Sequence, residues 1–241
     1  MLTAFIAAAT RLAPILLLAA CAVPVENRAE PAAAVEAPPP PPPPAAPVID
    51  LASWTPPDPA AGWSARRLIG TAVYGASGDR IGRSANLIVG PDGNLSTLVV
   101  ESSGMLAPSG TRFAVPWNSV RASADRRALW VPTDPGTLSL YGLDPEHPPG
   151  PRPWRATELM GDYALLQGNA PYGVVDDLIF DHARKLVAVV IAPDATRGGR
   201  GHRVLPFYGY DAGFDPGHDS YKLPYDRNAV EALPLLKAEA Q

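Results

Sequence analysis

An internal repeat constrains this chain more than any other feature. The stretch "LIGTAVYGASGDRIGRSANLIVGPDGNLSTLVV" (68–100) lies on "LMGDYALLQGNAPYGVVDDLIFDHARKLVAVVI" (159–191) without a gap. Leu68 meets Leu159, Gly70 meets Gly161, Gly82 meets Gly173, and Leu95 meets Leu186. Leu87-Ile88 and Val99-Val100 meet Leu178-Ile179 and Val190-Ile191, all at a spacing of 91. The spacing becomes 90 where Val115-Pro116-Trp117 meets Leu205-Pro206-Phe207. It becomes 92 where Val131-Pro132 and Asp134 meet Leu223-Pro224 and Asp226. Self-similarity over this length marks one structural unit written twice. We expect two domains, 63–145 and 152–236, joined through "DPEHPPGPRP".

Within each unit the apolar residues have the period of strands. Ile81, Leu87, Val89, Leu95, Val99 and Val100 fall in short β-rich runs divided by "GASGD" and "GPDGN". Asp92-Gly93 supplies the positive φ of a tight hairpin. In "FAVPW" the proline ends a strand because it has no N–H for the ladder. Trp117 and Phe207 then place a large aromatic at the same point of each copy, where we expect each to plug one end of a small barrel.

The glycines invite a different reading, as a phosphate-gripping loop. Such a loop needs a helix after it, with backbone N–H groups aimed at the ligand. Here a β-rich run follows. The second copy keeps Gly70 and Gly82 as Gly161 and Gly173 but puts Leu166, Asn169 and Arg184 in place of Gly75, Gly78 and Gly93. The retained four read as structural core positions and the replaced ones as interchangeable turn residues.

These residues resemble a known family. Leu68-Ile69-Gly70, Asp79-x-x-Gly82, the Leu87–Val89 strand, Asp92-Gly93, Leu98–Val100 and Val115-Pro116-Trp117 are similar to the PRC-barrel domain. That small barrel occurs in the photosynthetic reaction-centre H subunit and in a ribosome-maturation factor. The second copy keeps the pattern more loosely, with Pro206-Phe207 for Pro-Trp. The resemblance implies an all-β fold of two tandem small PRC-type β-barrels, about six strands each. It also implies a binding or assembly role with no shared catalytic machinery.

The N-terminus reads as an address. Arg11 precedes a short apolar run, Leu12–Ala20, which suits a signal peptide (1–20) and is too short to span a bilayer comfortably. "LAAC" (18–21) resembles the lipobox of bacterial lipoproteins, in which the cysteine thiol is acylated and the peptide is cut before it. The resemblance implies lipidation at Cys21 and a lipid-anchored, periplasm-facing place in the cell envelope. Because Ala22 is not aspartate, it implies the outer membrane over the inner. Residues 21–62, with Pro38–Pro44 unbroken, read as a disordered Pro-rich tether with polyproline II character.

Composition excludes several classes. A net charge of −4 gives no bulk attraction to nucleic acid. One cysteine allows no internal disulfide and no multi-thiolate zinc site. The richest polar cluster is "YDAGFDPGHDSYK" (210–222), where Asp211, Asp215, His218 and Asp219 are the candidate cation ligands. Their spacing matches no metal motif, and a polar hairpin loop is the plainer reading. "TRGGRGHR" (196–203) reads as a mobile loop, or as an anion site. The serines lie in loops with no recognisable nucleophile elbow, and the single thiol, Cys21, is expected to be lipidated, so no catalytic residue is expected. No cofactor is expected, and the partners are a membrane, through the anchor, and a protein. The competing reading is a periplasmic module that binds a metal or an anion with the 196–222 loops or the cleft between the barrels.

Overall fold

The computed structural model describes residues 47–59, 61–104, 108–134, 137, 141–142 and 152–236. The signal peptide, Cys21 and Pro38–Pro44 lie outside the described residues. Every described residue belongs to one compact unit, Pro43–Gln241.

The first half contributes β1 (Trp63–Ser64), α1 (Ala65–Leu68), β2 (Ala72–Tyr74), β3 (Arg80–Val89), β4 (Leu95–Ser102), β5 (Arg112–Pro116), β6 (Arg121–Ala122) and β7 (Ala128–Trp130). The second contributes β8 (Trp154–Arg155), β9 (Tyr163–Leu166), β10 (Ala170–Phe180), β11 (Leu186–Pro193), β12 (Arg203–Pro206), β13 (Ser220–Lys222) and α2 (Arg227–Glu231). The fold is all-β apart from short helical turns. One sheet has the strand order β5-β4-β3-β2-β7-β6 and the other β12-β11-β10-β9-β13.

The long central hairpins follow from sequence. Gly90 N donates to Asn94 O (2.8 Å), and Gly93 takes φ +78 in the turn between β3 and β4. Pro116 and Pro206 end β5 and β12, as the missing donor requires. Toward its other edge each sheet has a short parallel pair, β2 with β7 and β9 with β13; β13 is itself an edge strand, whereas β6 lies outside β7.

Retained glycines do two jobs. Gly70 and Gly161 are exposed turn residues and not core positions, retained because they adopt φ +88 and +102, the left-handed region that disfavours a side chain. Gly82 and Gly173 lie so close to the next strand that a Cβ would sit 2.1 Å from Glu101 O and Ala192 O respectively. At two replaced positions the left-handed backbone persists without glycine: Asn169 has φ +58 where Gly78 has +85, and Arg184 has +72 where Gly93 has +78.

The halves are not independent beads. Each one's opening strand leaves it and joins the other's sheet. Trp63 and Ser64 of β1 pair with Phe180 and Ile179 of β10. Trp154 and Arg155 of β8 pair with Val89 and Ile88 of β3. These two registers are the same register displaced by the repeat spacing. The hairpin turns also meet: Asn94 and Lys185 form a backbone bridge, with Leu95 N on Arg184 O and Leu186 N on Gly93 O, both 2.9 Å. A single hydrophobic cluster runs through both halves, from Leu68, Leu98 and Phe113 to Leu159, Leu178 and Phe180.

Two expectations need correction. Residues 21–62 do not read as tether to their end, because part of 47–62 is packed on the second half: Leu51 is buried and Trp54 partly so. The apolar Val-Ile-x-Leu-x-x-Trp that follows the prolines has a surface to cover. Trp117 and Phe207 also differ. Trp117 is buried, edge-on to Trp63 at 5.5 Å. Phe207 is only partly buried, stacked on Trp154 (6.3 Å) and Tyr221 (6.0 Å).

Candidate functional site

Three regions bear on function: the joint between the halves, a groove beside the entering chain, and the 196–222 loops.

At the joint, Asp177 on β10 reaches the opening turn of the first half. Ser64 Oγ donates to its Oδ2 (2.5 Å), and the backbone N–H groups of Arg66 (2.8 Å) and Leu178 (2.7 Å) donate to Oδ1. Burial raises the Asp177 carboxyl above its ordinary value, and those hydrogen bonds offset part of the rise. A shallow polar cleft of about 370 Å³ lies beside the meeting hairpins, lined by Asn94, Ser96, Trp117, Asn118 and Arg184.

The groove is larger and mostly apolar. It measures about 700 Å³ and is lined by Val48, Ile49, Leu51, Trp54, Tyr225 and Leu233, among others. One wall is the entering segment, which two tyrosines clasp. Ile49 N donates to Tyr208 Oη (2.9 Å), and Tyr225 Oη donates to Ile49 O (3.0 Å). The two hydroxyls bond each other at 2.5 Å. Val48 and Ile49 remain 57% and 41% exposed, so the segment is fastened by its backbone while its side chains stay open to solvent.

The loops do not gather the proposed ligands. His218 Nε2 lies 3.0 Å from Asp215 Oδ2, but both are exposed, as are Asp211 and Asp219. Asp219 uses its carbonyl to accept from Tyr163 N (3.0 Å). No group of three or more His, Cys, Asp or Glu side chains suited to a metal occurs among the described residues. In the basic loop, His202 Nε2 stands 3.4 Å from Asp176, and the Arg203 guanidinium donates to the carbonyls of Arg200 (3.2 Å) and Glu231 (3.4 Å). Phe214, between the acidic residues, is buried against Trp154 (5.0 Å) and Phe207 (5.5 Å).

Sequence reasoning missed Asp162. Its carboxyl is pushed up to about 7 by burial first, then by Asp219 and Glu158, with His218 pulling the other way. The signal was available in the repeat, since Asp162 stands where the first half has Thr71.

With this geometry in view, the first half has a recognised class: residues 63–137 match the family model of the PRC-barrel domain. No curated protein matches the chain. The matched span begins at Trp63, the residue whose strand pairs with the other half.

Proposed function

We propose that this chain is a non-catalytic, membrane-anchored envelope lipoprotein that presents its two β-halves as one protein-binding platform. Cys21 carries the lipid, the Pro-rich segment spaces the domain from the membrane, and residues 152–236 are a second, divergent PRC-type copy. The observation that supports the reading best is the reciprocal strand exchange. It fuses two small sheets into one body whose binding faces keep a fixed relation, as an assembly module requires. Acyl chains at Cys21 would make the anchoring stable, each buried CH₂ contributing roughly 0.8 kcal/mol.

The test is affinity capture of the full chain from crosslinked envelopes, in parallel with Cys21→Ser. Discrete partners and loss of membrane fractionation in the variant are expected. Recovery of no partner, beside a robust small-molecule thermal shift, would sink the proposal.

The polar cleft at the joint favours a second reading, a ligand-binding module for a small anion at Arg184. A thermal shift with inorganic phosphate that Arg184→Ala abolishes would promote it. For a metal at the 210–222 loop, elemental analysis of the purified protein and of Asp215→Ala and His218→Ala is decisive.

A further inference from the structure

The repeat supplies its own control for an unusual carboxylate. Asp162 and Thr71 occupy equivalent backbones. Asp162 N donates to Leu159 O (3.2 Å) and its carbonyl accepts from Val175 N (2.9 Å); Thr71 N donates to Leu68 O (3.2 Å) and its carbonyl accepts from Ser84 N (2.8 Å). Each residue immediately precedes a short parallel seam, which lies at the sheet edge only in the second half. In the first half the register Ala72↔Ala128 sets Thr71 opposite Arg127. Thr71 Oγ1 also donates to Arg67 O at 2.7 Å. In the second half the register Ser220↔Tyr163 sets Asp162 opposite Asp219, so two acids replace a hydroxyl and a cation. Like charges placed directly across a strand pair weaken it.

The seam they weaken is slight. β13 is an edge strand joined to β9 by three register pairs. Its far end is secure, because Tyr221 is fully buried and its hydroxyl accepts from Tyr208 N (2.6 Å). Its near end continues back into residues 209–219, whose Phe214 covers Trp154, Phe207 and Tyr221.

Other charged groups nearby are already engaged. Glu158 is paired with Arg152 (2.5 Å) and accepts from Arg155 N (2.8 Å). His218 sits on Asp215. On β10, Asp176 meets Arg66 and His202, and Asp177 is held by Ser64 and Arg66 N. Lys222 lies at the far end of the seam, opposite Leu165.

We propose that Asp162 and Asp219 form a pH-sensitive latch that holds the 209–219 loop over the aromatic cluster while Asp162 is protonated and loosens it when the proton passes to water. The carboxyl pushed up to about 7 by burial and by Asp219 places the change near neutrality. Opening returns Asp162 to an ordinary carboxylate, so closure weakens as pH rises toward 7 and levels off above it. The latch goes beyond the platform role and does not depend on it.

Hydrogen exchange of the full chain between pH 5 and 8, corrected for intrinsic exchange, tests this. Protection of peptides covering 209–220 should fall at least about tenfold from pH 5 to pH 7 and then flatten. Peptides from β10 and β11 should follow only the decline in global stability tied to Asp177, and that decline should persist in the Asp162 variants. Asp162→Asn and Asp162→Thr, the latter copying Thr71, should abolish the dependence, and His218→Gln should keep it. A flat wild-type profile, or an unchanged profile in both Asp162 variants, overturns the proposal.

Discussion

Asn86 and Asp177 hold the same position in the two halves, and each reaches across to the opposite half's opening turn. Asn86 Oδ1 accepts from Thr157 N (3.4 Å) as Asp177 Oδ1 accepts from Arg66 N (2.8 Å). Asn86 Nδ2 donates to Thr157 Oγ1 (2.6 Å). One site makes the contact with an amide and the other with a buried acid. Burial holds the folded Asp177 carboxyl above its unfolded value, so folding takes up a proton there. The stability tied to that proton is complete below the ordinary carboxylate range and is lost as pH rises through the raised folded value.

Asp177→Asn should therefore flatten part of the decline in stability above about pH 4. Its amide can donate to Ser64 Oγ as Asn86 donates to Thr157. Urea unfolding between pH 4 and 8 checks this. Wild type should lose stability toward neutral pH, and the variant should lose less and be at least as stable at pH 7. A steeper slope in the variant would contradict the account.

The shared core predicts a single calorimetric transition for both halves. Trp154 is the sharpest probe, because its backbone belongs to the first sheet while its ring packs on Phe207 and Phe214 of the second half. Trp154→Ala should cost about 3–5 kcal/mol and lower that one transition. Two separable peaks, with only one displaced, would show that the halves unfold alone.

Glycine substitutions should separate by mechanism. Gly82→Ala and Gly173→Ala force a methyl onto a strand carbonyl and should cost about 3 kcal/mol or more. Gly70→Ala meets open space and suffers only its positive φ, about 1–2 kcal/mol. Arg184→Gly runs the other way and should gain up to about 1 kcal/mol. Chemical denaturation of the four variants gives the order directly.

The tyrosine clasp should be measurable by protease. Tyr225→Phe removes the donor to Ile49 O and should cost about 1 kcal/mol. Cleavage within 47–59 should quicken while β3 and β10 stay resistant. Equal cleavage in both proteins would mean that Leu51 and Trp54 alone hold the segment.

Much of this architecture was legible in the residues. The spacing of 91 located the paired hairpins because period-2 burial and left-handed turns are local requirements. Retention marked Gly82 and Gly173 only as structural, because the carbonyl that excludes a side chain at each belongs to a paired strand far off in sequence. The exchange of β1 and β8 was not legible, since two-residue strands carry no periodicity and their partners lie far off in sequence, Phe180 for Trp63 and Val89 for Trp154. The packed end of the Pro-rich segment was hidden by its prolines, although Leu51 and Trp54 were visible. The raised carboxyl of Asp162 was not legible because the residue stands alone, outside the dense acidic loop, and its partial burial depends on the pairing of β9 with β13.

The route by which the chain enters the fold has a mechanical consequence. Ile49 is fastened to the second half, and Trp63 then pairs with β10 of that half before the first half begins. A tug on the residues ahead of Val48 is therefore borne first by the C-terminal half, at Ile49. Only when that grip fails does load reach residues 61–64, where Arg126 of the N-terminal half holds the carbonyls of Ala61 and Gly62 while β1 is paired with β10, so that both halves then resist together.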